Sequence, residues 1–73
     1  MTHSAHSMSC TITYPDGREP TTSTRTELGS ARKAKRKWVQ ILKAAEYRWW
    51  PDGDAVIYET TTGKLIRREW TNL

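Results

Sequence analysis

LGSARKAKRKWVQILKAAEYRWW, residues 28–50, is the stretch whose reading decides the fold. It is the only segment long and periodic enough for an amphipathic helix. Leu28, Ala31, Lys35, Trp38, Leu42, Ala45 and Trp49 follow one another in steps of three and four, with Ala34 and Ile41 widening the stripe. At about 100° per residue these positions form one continuous face, the side a helix buries. Lys35, the one polar member, can lie at the margin and carry its ammonium outwards. The opposite face holds Arg32, Lys33, Arg36, Gln40, Lys43 and Tyr47, with Lys37 and Arg48 at its edges.

Two helix starts compete. Ser30 is a good N-cap, but it sets Arg32, Lys33, Lys35 and Arg36 in the first two turns, where cations oppose the helix dipole. A start at Thr26 puts the Glu27 carboxylate in the first turn at the cost of Gly29 inside the helix. The electrostatics favour the earlier, frayed start. At the other end Pro51 disfavours helical geometry at Trp50, and Pro51-Asp52-Gly53 turns the chain back.

Upstream, Cys10 to Tyr14 alternates apolar and polar, the period of a half-buried strand with Cys10, Ile12 and Tyr14 inward. Pro15-Asp16-Gly17 is a turn: Pro presets φ and Gly accepts a positive φ. Glu19 to Arg25 is then either an edge strand, rich in Thr and Ser and carrying Pro20, or an irregular linker. Residues 1–9, polar and rich in Ser and His, are expected to be a disordered leader, leaving residues 10–71 as a single domain.

Downstream, Asp54–Thr60 and Lys64–Trp70 form the clearest hairpin, with Gly63 starting a bulge after a type I turn. That register sets Tyr58 beside Ile66 and Val56 beside Arg68. Val56, Tyr58, Ile66 and Trp70 then face the core, and Ala55, Ile57, Glu59, Leu65, Arg67 and Glu69 face water. Arg68 is the misfit on the core side. Thr71 to Leu73 reads as a loose tail.

The expected fold class is α+β. It is a single small β-β-α-β-β domain, with one antiparallel sheet of three to four strands packed on one amphipathic helix. Its core would draw on Ile12, Tyr14, Leu28, Trp38, Ile41, Leu42, Ala45, Val56, Tyr58, Ile66 and Trp70.

Seventy-three residues make one domain of marginal stability, burying about 60% of the unfolded surface. One cysteine excludes an internal disulfide and a multi-thiolate zinc site. His3, His6 and Cys10 are candidate soft metal ligands by type only, without a convergent, supported arrangement. No metal and no cofactor is therefore expected. No apolar run approaches the length of a membrane span, and the start lacks a signal-peptide pattern. The reading is no membrane and a cytoplasmic, intracellular setting.

Charge bears most directly on function. Twelve Lys and Arg stand against eight Asp and Glu, a net charge of +4, and seven of the twelve bases lie between Arg32 and Arg48. Clustered charge of this kind attracts nucleic acid or an acidic protein. The leading expectation is a small nucleic-acid-binding module of low sequence specificity, using Arg32, Lys33, Arg36, Lys37, Gln40, Lys43 and Tyr47. The alternative is a protein-binding adaptor or inhibitor, with a homodimer included. It would act through Trp49 and Trp50 at the helix end and through Thr22 and Thr24 on the open edge. An enzyme is not expected: the stretch read as folded has no histidine, its carboxylates are scattered, and the phosphate-loop, dinucleotide and nucleophile-elbow motifs are absent. No small-molecule substrate is expected either.

Overall fold

In the computed structural model, which describes residues 5–73, strand alternation begins at Ala5. β1 runs Ala5–Thr13, and His6, Met8 and Cys10 are buried between half-exposed neighbours. The leader expected over residues 1–9 is thus strand from Ala5 onward, and His6 lies inside the fold. Serines supply the polar half of the alternation and His6 part of the buried half, which masked the period. Residues 1–4, with His3, lie outside the described residues.

β2 spans Thr21–Leu28 and pairs antiparallel with β1, from Ile12 opposite Thr21 to Ala5 opposite Leu28. Because β1 starts early, β2 must continue late to match it. Pro20 therefore falls before the strand, and Thr26, Glu27 and Leu28 complete it instead of opening the helix. The hairpin turns at Pro15-Asp16-Gly17, with Gly17 at φ 83°. The Asp16 carboxylate accepts hydrogen bonds from the Arg18 backbone N–H at 3.1 Å and from its guanidinium at 2.8 Å.

Gly29, at φ 111°, breaks the chain out of β2. Ser30 caps α1, Ala31–Ala44, its hydroxyl accepting from the Lys33 N–H at 3.4 Å. The later of the two competing starts is the one used, although the first turn holds no acid. Strand pairing of Thr26 to Leu28 removes the earlier one.

The helix also stops earlier than its periodicity suggested. The Tyr47 N–H donates to Leu42 O and the Glu46 N–H to Lys43 O, both at 3.1 Å, with Glu46 at φ 59°. That is a Schellman closure with a non-glycine residue in the left-handed position. Trp49 and Trp50 consequently leave the helix and join β3, Arg48–Asp52. Pro51 is tolerated there because β3 is an edge strand.

A two-residue loop, Gly53–Asp54, returns the chain to β4, Ala55–Glu59. β5, Leu65–Asn72, follows a turn in which Gly63, at φ 83°, donates its N–H to Thr60 O at 3.0 Å. Val56 stands opposite Arg68 and Tyr58 opposite Ile66, as the hairpin reading required. β5 also pairs with β1, Met8 opposite Trp70 and Ile12 opposite Ile66. The sheet is five-stranded and antiparallel, in the order β2-β1-β5-β4-β3. β3 is the strand the sequence reading lacked.

α1 packs on β5, β4 and β1. Met8, Cys10, Ala31, Leu42, Val56, Tyr58 and Trp70 form the buried cluster, bordered by Ile12, Trp38, Val39, Tyr47, Trp49 and Ile66. Leu28, Ile41 and Ala45 are exposed rather than core. The shorter helix leaves Ala45 beyond its end, and Val39 takes the packing position given to Ile41. Tyr14 is half-exposed and tied to the turn, with the Arg18 guanidinium 4.2 Å above its ring. On the sheet's other face Ala55 is fully buried. Its cross-strand neighbours Asp52 and Glu69 are both bridged by Arg67, at 3.6 and 3.4 Å.

Candidate functional site

The helix carries the chain's whole positive excess. Ala31–Ala44 contains six cations and no carboxylate, against a net charge of +4, so the rest of the chain carries −2. Arg32, Lys33, Arg36, Lys37, Gln40 and Lys43 are all exposed. Lys35 alone turns inward, donating to Gly53 O at 2.9 Å and tying α1 to the β3–β4 loop.

Off the helix, carboxylates answer every arginine except Arg68, which is held by Tyr58 and Trp38. Arg18 pairs with Asp16, Arg25 with Glu27, Arg48 with Glu59, and Arg67 with Asp52 and Glu69. No ion pair among the described residues includes Arg32, Lys33, Arg36, Lys37 or Lys43. From Arg32 to Lys43 the stripe is about 16 Å long at 1.5 Å per residue.

Two residues assigned to nucleic acid or interface roles by sequence belong elsewhere. Tyr47 lies past the helix end and stacks on Tyr58, ring centroids 6.0 Å apart, so it is not on the basic face. Trp49 is half-buried against the core. Trp50, 36% exposed, points to the opposite side of the sheet, where the Arg48 guanidinium lies 5.6 Å from its ring. Thr22 and Thr24 are exposed on β2. Their register places them on the helix-free side, with the Thr22 and Thr11 hydroxyls 3.1 Å apart. The sites given by sequence therefore divide between two sides of the sheet.

A groove of about 510 Å³ opens between α1 and β2. Ala34, Trp38 and Ile41 form its apolar wall, Lys33 and Lys37 its basic rim, and His6 and Glu27 its floor, with the exposed Arg25 at the margin. His6 is 2% exposed. Its Nδ1 is 3.0 Å from Gly29 O. A carbonyl only accepts, so Nδ1 carries the proton. Nε2 lies 3.4 Å from a Glu27 carboxylate oxygen and has no hydrogen-bond partner among the described residues. The Arg25 guanidinium holds the other Glu27 oxygen at 2.6 Å.

Sequence reasoning missed this floor because it began β1 at Cys10. Started at Ala5, the same alternation would have placed His6 with Met8 and Cys10. Arg68, the apparent misfit, also has a place: its Nε donates to the Tyr58 hydroxyl at 3.0 Å.

Among the described residues, no group of three His, Cys, Asp or Glu side chains is disposed to hold a metal. No described helix is long and apolar enough to cross a membrane. No family model, no curated protein and no solved structure matches the chain.

Proposed function

We propose that the chain is a nucleic-acid-binding module that engages phosphates with the solvent face of α1 and has little sequence preference. One observation carries this reading. Arg32, Lys33, Arg36, Lys37 and Lys43 are exposed and lack carboxylate partners among the described residues, while the paired arginines of the strands and loops leave little net field. Stability alone does not account for cations at the start of a helix, where the dipole disfavours them. Polyanion phosphates turn that cost into attraction and release counterions on binding. Gln40 sits within the stripe and is the one neutral side chain placed to reach a base edge.

The test is fluorescence anisotropy with a generic duplex and a generic single strand over a range of salt. Five phosphate contacts give a log–log slope of about −4 to −5 on duplex DNA. A Lys33→Glu/Arg36→Glu/Lys43→Glu variant, shown to be folded by circular dichroism, is expected to lose binding. Absence of binding by the unaltered chain at low salt overturns the reading.

A further inference from the structure

The two edges of the sheet are built differently. β3 is short, five residues, and is blunted by Pro51 and flanking charge. β2 is eight residues long, has no proline within it, and is uncharged from Thr21 to Thr24. Its outer backbone groups form an open template, the kind that soluble proteins ordinarily protect. The Arg25–Leu28 end of that edge borders the α1–β2 groove, with Ala34, Trp38 and Ile41 as its apolar wall and the ammonium groups of Lys33 and Lys37 beside them. Ile41 is 42% exposed although it belongs to the only helix of the described residues.

We propose that β2 and this groove receive an extended, acidic segment of a partner protein, which adds to the sheet as a sixth strand. Main-chain hydrogen bonds to β2 supply affinity, and alternate side chains enter the groove. Apolar side chains of the segment pack against Ile41 and the Trp38 edge. Its carboxylates meet Lys33 and Lys37, neither of which has an internal partner among the described residues. The cleft volume of about 510 Å³ falls in the ordinary range for ligand sites, about 300–1,000 Å³.

Charge selects this occupant over a second copy. Antiparallel β2–β2 pairing about a two-fold axis would set both α1 helices on the same face of a merged sheet, each with six cations and no carboxylate. An acidic strand meets the same field with the favourable sign. The proposal goes beyond the nucleic-acid reading: Lys33 and Lys37 are common to both, but the apolar wall of the groove and the β2 backbone serve only the added strand, and Arg32, Arg36 and Lys43 only the phosphates.

The experiment is selection from a random peptide display library, with peptides of about twelve residues, enough to run the length of β2. The target is the nuclease-treated full chain. Enriched sequences are synthesised, and their binding is followed by anisotropy and by backbone amide shifts of the isotope-labelled protein. The expected result is enrichment of acidic peptides with alternating apolar residues that shift the amides of Thr21–Leu28. Peptides N-methylated at alternate positions, on the register facing β2, should not bind. Lys37→Glu/Ile41→Ser should weaken binding by about tenfold or more, the scale of an interface anchor. Arg32→Glu/Arg36→Glu/Lys43→Glu should retain it while losing nucleic acid, so the two readings can fail separately. The proposal is overturned by no enrichment, by basic consensus peptides, by shifts centred on Arg48–Asp52, by unchanged binding of the N-methylated peptides, or by a sedimenting dimer joined through β2.

Discussion

The Arg68 guanidinium stacks on the Trp38 ring, 4.1 Å from its centre, while its Nε donates to the Tyr58 hydroxyl. A cation on the core side of the sheet is thereby held by a π face and a phenol instead of a carboxylate. Tyr58 continues the arrangement, stacked between Trp38 at 6.3 Å and Tyr47 at 6.0 Å. The helix, the chain leaving it, and strands β4 and β5 meet in this one column.

Arg68→Ala removes the cation–π contact, the packed methylene stem and the donor to a buried hydroxyl. The expected loss is about 2–3 kcal/mol by urea denaturation. Arg68→Lys keeps the charge but not the planar stack, and should recover only part of it. A double-mutant cycle with Trp38→Leu should return a coupling of about 1 kcal/mol. Additivity of the two substitutions would show that the stack contributes nothing beyond packing.

His6 offers a second test, because only its Nδ1 position has a hydrogen-bond partner. An Asn side chain can place an N–H near the same point. His6→Asn is expected to be less destabilising than His6→Ala by about 1 kcal/mol, the net value of one hydrogen bond. Equal losses for the two variants, measured by thermal or urea unfolding, would remove the Gly29 bond as a significant contribution.

Glu46 closes α1 from the left-handed region, where an L side chain is disfavoured and glycine is not. Glu46→Gly is expected to stabilise the fold by about 1 kcal/mol, raising Tm by about 4–8 °C for a domain of this size. A fall in Tm would mean that the Glu46 side chain supplies more than its backbone costs.

Asp16 is held below the ordinary carboxylate range by hydrogen bonds from the Arg18 side chain and then from its backbone N–H. A depressed folded value means that the carboxylate favours the native turn above about pH 4, and that this contribution is lost as pH falls through the folded value. Carboxyl-carbon NMR titration should find the Asp16 midpoint low in the unaltered chain and raised in Arg18→Ala. An unchanged midpoint would remove Arg18 as the main cause.

The register of the β4–β5 hairpin was legible, since Gly63 fixed the turn and alternation fixed the faces, but Thr71 and Asn72, read as a loose tail, extend β5 because Ser7 and His6 pair with them. The basic helix face was legible too, because like charges at helical spacing need no tertiary information. What escaped were the places where tertiary pairing overrides local preference. Thr26, Glu27 and Leu28 suit a helix start until β1 reaches back to Ala5 and claims them. Trp49 and Trp50 continue the helical period, but Glu46 ends the helix in a conformation that residue type does not announce. The groove depended on both errors, for it exists only where β2 runs on to Leu28 beside a helix that begins at Ala31. Arg68 was found as an anomaly, but its partner on α1 lies thirty positions away and no local pattern links them.

β5 is the last strand in sequence and the middle strand in space. The two parts of the sheet, β1 with β2 and β3 with β4, can each form from neighbouring residues. They become one sheet only when β5 pairs with β1, from Thr13 with Leu65 to His6 with Asn72. That union closes nearly the full length of the chain, so its loop-closure cost is the largest of any strand pairing. Contacts this distant slow folding relative to a helical domain of equal size. The rate should respond to substitutions at Met8 and Trp70, which face each other across the joining seam, more than to any change on the basic face.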